Sequence, residues 1–109
     1  MRTIDFTHNG TKYSLGFTLD TVRNLEQSGF VLDEVATKPA IRVGELFYGS
    51  FAANHRGIKR KTVDEIWKTL KNRDKLIVTL AELYSEALDT MISGDEEDGE
   101  GNEEWTVTQ

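Results

Sequence analysis

The acidic C-terminal end limits how much of this 109-residue chain can form a hydrophobic core. Residues 93–109 contain seven of the 19 acidic residues and none of the 13 Lys and Arg residues. Residues 1–92 contain the other 12 acids and all of the bases, so this part is almost neutral. A highly charged segment with little apolar surface gains too little from burial to offset its ordering entropy. We therefore predict one folded domain over 1–93 and a flexible acidic tail over 94–109.

The composition also excludes several classes of protein. The chain has no cysteine, which excludes disulfides and thiolate catalysis. The start of the chain lacks the basic and apolar regions of a secretory signal, and no apolar run approaches the roughly 18 residues of a membrane span. We expect a cytoplasmic protein that does not contact membranes.

The N-terminal segment has the pattern of a β-hairpin. Apolar and polar residues alternate on both sides of the Asn-Gly pair at 9–10, with Ile4 and Phe6 before it and Tyr13 and Leu15 after it. Asn-Gly tolerates the positive φ angles of a two-residue type I′ turn. An isolated hairpin is marginal in water, so we expect its apolar face to pack on the helices that follow.

Two helices are predicted in the first half of the remaining chain. Thr18 has the position of an N-cap, and Gly29 has the position of a left-handed residue that ends the first helix. A single helical turn is expected before Pro39. The second helix is predicted over 40–56, where Gly44 and Gly49 require a reason, since glycine destabilises a helix interior by about 1 kcal/mol. Close approach of a neighbouring element is the reason that we expect.

Two further helices complete the predicted domain. The spacing of Thr62 and Glu65 is that of a capping box, and the apolar residues after Thr62 recur at helical intervals. The last helix is predicted over 73–93, with Asn72 as its cap. The expected fold class is α+β, an N-terminal hairpin packed on about four helices. The predicted core residues are Ile4, Phe6, Leu15, Val22, Leu25, Phe47, Phe51, Ile66, Trp67, Leu80 and Leu83.

The chain carries no recognisable catalytic constellation. The two histidines, His8 and His55, have no neighbours at metal-ligand spacing, and we expect each to be exposed or to cap a helix. The sequence has no nucleophile-elbow motif, no phosphate-binding glycine loop and no calcium loop. We predict that the protein is not an enzyme and binds no cofactor or metal.

A basic cluster before the third helix leaves a second function open. Arg56, Lys59, Arg60 and Lys61 could neutralise phosphates in a nucleic-acid-binding regulatory module. The nearly neutral domain and the acidic tail oppose this interpretation, because the tail competes for the same cations. The cluster has two other interpretations: an ordinary solvated start of a helix, or a patch for an acidic protein segment.

Four patterns in order along the chain resemble a known family: E-x-x-G-F at 26–30, L-F-x-G-x-F at 46–51, H-R-x-x-K-R-K at 55–61 and D-E-I-W at 64–67. The chain is similar over about residues 3–92 to small proteins encoded in tail-assembly operons of long-tailed phages and prophages of Gram-positive bacteria. Members of that family are tail assembly chaperones or chaperone-like proteins. None of the four patterns is catalytic.

The resemblance implies a non-enzymatic role in virion assembly. Many copies would bind the long, helical, aggregation-prone tape measure protein in the bacterial host cytoplasm and hold it soluble, which makes a homo-oligomer the expected state. A form extended by frameshifting would recruit the tail tube protein.

We predict an apolar or small-residue partner surface, exposed by self-association, around Phe47, Tyr48 and Phe51, with nearby bases steering acidic segments of the partner toward it. The terminal EWTVTQ could also dock as a strand on a sheet edge. The predicted partner-binding residues are Phe47, Tyr48, Phe51, Lys59, Arg60, Lys61 and Trp105.

Overall fold

A computed structural model describes residues 2–93 and 106–107 of the chain, and its N-terminus is the predicted hairpin. Strand β1 (Ile4–His8) pairs antiparallel with β2 (Thr11–Leu15), and Ile4 lies opposite Leu15 in the register. The turn residues Asn9 and Gly10 have φ angles of 50° and 78°, as a type I′ turn requires. Four α-helices follow over the described residues, which confirms the predicted α+β fold.

Helix α1 (Leu19–Gln27) begins and ends at the predicted residues. The Thr18 hydroxyl accepts a hydrogen bond from the backbone N–H of Thr21 at 3.2 Å, and the Thr21 hydroxyl accepts one from the backbone N–H of Thr18 at 2.8 Å. At the other end, the N–H of Phe30 donates to the Leu25 carbonyl and the N–H of Gly29 donates to the Glu26 carbonyl, both at 3.0 Å. These two bonds form a Schellman motif around Gly29, whose φ is 103°.

Replacing Gly29 by alanine is expected to lower the free energy of unfolding by about 1 kcal/mol or more. No atom lies within 4 Å of the position that a Cβ would occupy, so the cost is conformational and not steric. Chemical denaturation measures it directly. Gly29→Asn is the matched control and should be less damaging, because asparagine tolerates the left-handed region better than alanine. Equal stability of Gly29→Ala and the unmodified protein would contradict the left-handed assignment.

Helix α2 (Pro39–Gly49) is shorter than the sequence predicts. It follows a 3₁₀ turn (Leu32–Val35), and Pro39 occupies its first turn, where a missing N–H is tolerated. It ends at Gly49 because Ser50 is fully buried and bonded elsewhere: its hydroxyl donates to the Phe47 carbonyl at 2.6 Å, and its carbonyl accepts from the Gly16 N–H at 2.9 Å. The predicted helical continuation over 50–56 is therefore wrong, and turns occupy 50–54.

Helix α3 (Arg60–Thr69) begins two residues before the predicted capping box, so that box is absent from the start of the helix. Lys59 is the N-cap residue and makes no side-chain capping bond. Its carbonyl accepts from the Val63 N–H at 3.2 Å, which closes the first helical turn. Helix α4 spans the predicted range, Arg73–Ser93, and the Asn72 carbonyl accepts from the Leu76 N–H at 3.0 Å.

The core lies where α4 packs against α1 and α2, with the end of β2 and the inner face of α3 beside them. Most of the predicted core is confirmed, but Ile4, Phe6, Leu25 and Trp67 are only half-buried. Met91, near the end of α4, is 58% exposed. The buried apolar residues are Leu15, Phe17, Val22, Phe30, Leu46, Phe47, Phe51, Val63, Ile66, Leu80, Leu83, Tyr84 and Ala87.

Side chains after α2 hold the hairpin on the helices. The backbone N–H of Ser14 donates to His55 Nε2 at 2.9 Å, and the side-chain amide of Asn54 donates to the Ser14 carbonyl at 3.2 Å. Asp5 and Ser14 face each other in a non-hydrogen-bonded pair of the ladder, so these Ser14 groups point away from β1. The bonds therefore cover this part of the outer edge of β2.

Candidate functional site

Two of the predicted partner-binding aromatics belong to the core. Phe47 is 2% exposed and Phe51 is fully buried. Their rings meet edge to face at 5.1 Å between centroids, and Phe47 also contacts Trp67 at 4.9 Å. Neither side chain is exposed in this fold, so the prediction that self-association exposes them to a partner stays a prediction. The L-F-x-G-x-F pattern places them on the inner face of α2 and its following turn.

Tyr48 lies between these residues in sequence and points to the surface, with an exposed fraction of 36%. The guanidinium carbon of Arg60 lies 4.9 Å from the centre of its ring, and the Tyr48 hydroxyl is 3.4 Å from the Ile58 carbonyl. Arg60 also lies 3.6 Å from the Asp64 carboxylate. Tyr48 and Arg60 therefore join α2 to the start of α3, which gives both side chains a structural role.

The other predicted basic residues lie exposed around the start of α3. Arg56 precedes the helix, Lys59 caps it and Lys61 lies in its first turn. The first turn contains no acidic residue. Positive charge at a helix N-terminus opposes the helix dipole by about 0.3–1 kcal/mol per group. These bases are thus not placed to stabilise α3.

Neither histidine caps a helix. His55 is half-buried, accepts from Ser14 through Nε2 and packs its ring 5.1 Å from that of Tyr13. His8 Nδ1 lies 3.3 Å from the Thr69 hydroxyl. A cleft of about 660 Å³ with a mixed polar and apolar lining lies beside His55, between α1 and the turns after α2. Over residues 2–93, no three acidic or histidine side chains converge to hold a metal ion.

An apolar groove runs between α4 on one side and the 3₁₀ turn and α2 on the other. Its volume is about 950 Å³. Val78, toward the N-terminal end of the α4 wall, is 59% exposed. The described residues leave it uncovered, and it adjoins the other apolar residues of the groove, as a contiguous apolar patch that marks an interaction site would. The apolar residues that form the floor are Leu32, Val35, Val43, Ile77, Val78 and Ala81.

The rim of this groove is acidic. Asp33 lies on the 3₁₀ turn, and the other rim acids lie on α4 within one broad face. Among the described residues that line the groove, none is basic. Arg2 approaches from outside, with Nη1 bonded to the Glu86 carboxylate and Nη2 3.8 Å from that of Glu82. The rim acids are Asp33, Asp74, Glu82, Glu86 and Asp89.

An ion-pair network fixes one wall of the groove. Arg42 of α2 donates from Nε to Glu34 at 2.8 Å and from Nη1 to Glu45 at 2.6 Å, and its side chain is only 18% exposed. The hydrogen bond from Arg42, followed by that from Lys38, lowers the pKa of Glu34 below its usual value. The network ties the 3₁₀ turn to α2 and so positions Leu32 and Val35. The i, i+3 spacing of Arg42 and Glu45 was a sequence signal for part of it.

Comparison with known proteins identifies the family. A family model described as "Domain of unknown function (DUF5055)" matches residues 1–109. The chain belongs to this family. No curated protein and no solved structure matches the chain. Because the family description states neither an activity nor a partner, the function of this DUF5055 domain has to be argued from its surfaces.

Two further predictions for this DUF5055 domain concern the acidic tail with Trp105 and membrane-spanning segments. Trp105 and the acidic tail lie outside the described residues, apart from Thr106 and Val107, which are exposed. In the part of the chain that the structure describes, every helix is too short or too polar to cross a membrane.

The groove itself was missed by sequence reasoning. The predicted core residues of α4, Leu80 and Leu83, are buried, whereas Val78 is exposed and was not among the predicted residues. The adjacent pair Ile77-Val78 was the available signal, because two consecutive apolar residues widen a helix face beyond one packing partner. The second wall of the DUF5055 groove is about 40 residues away in sequence, and helical periodicity does not indicate that the two segments pack together.

Proposed function

We propose that this protein is a tail assembly chaperone-like protein that binds the phage tape measure protein and keeps it soluble during tail morphogenesis. The observation that carries the proposal is the apolar groove between α4 and the segment containing the 3₁₀ turn and α2, which residues 2–93 leave uncovered. The resemblance of residues 3–92 to small tail-operon proteins supplies the identity of the partner. Tail tube protein would be a second partner through an extended form.

The groove suits a helical target. Helix-in-groove recognition places an apolar stripe of an amphipathic helix against an apolar floor, with polar contacts at the rim. A floor of aliphatic side chains with acids along its edges has this layout. A long helical protein would offer many such stripes, so many copies of this small domain would be needed to cover it. Self-association of the bound copies is part of the proposal.

This proposal moves the partner surface away from the residues first predicted. Phe47 and Phe51 are buried and take no part in it. Lys59 and Lys61 lie outside the groove, as do Tyr48 and Arg60.

Co-expression with the tape measure protein of the same phage tests the proposal. We expect the tape measure protein to become soluble and to co-purify with many copies of this chain. Val78→Gln should reduce capture, because it places a polar group on the groove floor. Ile41→Gln is the matched control, since Ile41 is also 59% exposed but does not line the groove. A tape measure protein that stays insoluble beside abundant folded chain would rule out the proposed function.

The exposed bases at the start of α3 favour one alternative, a nucleic-acid-binding regulatory module. Arg56, Lys59, Arg60 and Lys61 would contact phosphates there. Phosphate contacts predict a steep loss of DNA affinity as salt rises, whereas an apolar groove retains most of its affinity. Binding of random-sequence DNA at physiological salt, removed by Lys59→Glu and Lys61→Glu together, would favour the alternative.

A further inference from the structure

We infer that the groove binds an amphipathic helix that carries basic residues along both sides of its apolar stripe. The inference rests on the proposed function, because it names the kind of partner segment that the same groove accepts. It also reverses the electrostatic expectation from the sequence, in which basic residues of this protein steer acidic segments of the partner.

The charge of the rim indicates the charge of the partner. Five carboxylates line the groove, and none of the described lining residues is basic. Four of these carboxylates lie on α4 and Asp33 lies on the opposite wall. A partner with acidic flanks would bring like charges together along the α4 edge and at Asp33, which costs affinity and slows association. A partner with Lys or Arg flanks would pair with those carboxylates at the edge of an apolar contact, where water is partly excluded.

The chain itself supplies an example of such a contact. Arg2, from the residues before β1, binds the Glu86 carboxylate and approaches that of Glu82. Both acids remain about half exposed at their side chains, so they retain room for another donor. The rim of the groove therefore already pairs with one guanidinium.

The length and floor of the groove define the helix that fits. The lining residues of α4 run from Asp74 to Asp89, which is about 22 Å along the helix axis and matches a partner of about 15 residues. Ala81 and Ser85 lie near the middle of this line, where their small side chains allow another helix to approach closely. Val78 and Ile77 then supply apolar contact at one end.

Two other occupants fit less well. The acidic tail of the same chain has seven carboxylates and would be repelled by the rim. A second copy could offer the basic side of α3, but the apolar residues Val63 and Ile66 of that helix are buried in its own domain. Helix α3 of a second copy therefore offers no apolar stripe to the floor.

Binding of designed peptides to the full-length chain tests the inference. The first probe is a helical peptide of about 16 residues with Leu and Ala at i, i+3, i+4 and i+7 positions and Lys on both flanks. The second replaces every Lys by Glu. We expect the Lys peptide to bind about tenfold or more tightly than the Glu peptide, and this ratio to shrink at high salt because the rim pairs are partly exposed.

Variants and a scrambled peptide locate the binding. Val78→Gln should weaken the Lys peptide severalfold, whereas Ile41→Gln should not. Glu82→Gln combined with Asp89→Asn should reduce the ratio between the affinities of the Lys peptide and the Glu peptide. A scrambled peptide keeps the Lys residues but not the stripe, so it measures attraction to the acidic tail and should bind more weakly.

The inference is overturned by equal binding of the Lys and Glu peptides, by equal binding of the scrambled peptide, or by a Lys peptide that is indifferent to Val78→Gln. A dimer of the free chain that Val78→Gln dissociates would also overturn it, by showing a second copy in the groove. Failure of the proposed function looks different: the Lys peptide binds as expected, but the tape measure protein stays insoluble. Capture of the tape measure protein without any charge preference would remove the inference alone.

Discussion

Phe51→Ala is expected to lower the free energy of unfolding by about 3–5 kcal/mol, the usual range for removing a fully buried aromatic ring. The ring is fully buried and lies 5.1 Å from the Phe47 ring and 5.9 Å from the Tyr13 ring, both in edge-to-face geometry. Its loss would open a cavity where the hairpin, α2 and the following turns meet. Since a domain of this size is stable by about 5–15 kcal/mol, much of the total would be lost. Urea denaturation followed by circular dichroism measures the change.

Tyr48→Ala is the control that separates the core from the surface. Tyr48 lies three residues before Phe51 but is 36% exposed. Its replacement should lower the free energy of unfolding by no more than about 1 kcal/mol, mainly because the contact with Arg60 is lost. A Phe51→Ala variant of unchanged stability that no longer binds its partner would show that the sequence-based surface assignment was right and that the core assignment is wrong.

Gly49→Ala is expected to destabilise the protein by about 1–3 kcal/mol, although alanine is the better helix former. A Cβ at this position would lie 2.7 Å from Leu25 Cδ1 and 2.9 Å from Cδ2, with Cγ at 3.1 Å. These distances are too short for carbon atoms, so Leu25 of α1 would have to move. Close approach of α1 is therefore the reason for this glycine, as the sequence predicted. Thermal or chemical denaturation gives the sign of the change.

Two variants check this explanation. Gly44 lies in the same helix, but a Cβ there would meet only the end of the flexible Arg60 side chain at 3.4 Å. Gly44→Ala should therefore stabilise the protein by up to about 1 kcal/mol. Leu25→Ala removes the atoms that crowd Gly49, so adding Gly49→Ala to it should be neutral or stabilising. Equal destabilisation by Gly49→Ala in both backgrounds would show that crowding by Leu25 is not the cause.

The basic flanks inferred for the partner follow from the burial of Phe47 and Phe51. The sequence pattern placed apolar binding residues beside the bases at 59–61, because the two lie close together along the chain. In the fold, the aromatic residues turn inward and the exposed apolar surface forms beside carboxylates of α4. The charge predicted for the partner segment therefore changes from acidic to basic.

The sequence by itself determined the elements whose ends are set by local backbone chemistry. The Asn-Gly pair at 9–10 produced the hairpin turn, Thr18 and Gly29 set the limits of α1, and α4 has the predicted range 73–93. In each case, the signal is a conformational preference or a capping bond between residues a few positions apart. Such interactions are present in the chain before any tertiary contact forms.

The tertiary structure decided where long-range bonds or packing compete with local signals. Helix α2 ends at Gly49 because the buried Ser50 carbonyl is used by Gly16, and the capping spacing at Thr62 is overridden by an earlier start of α3. Periodicity shows which residues share a face, but it does not show which element covers that face. The groove depends on that choice, because one wall comes from residues 32–43 and the other from 74–89, which only packing brings together.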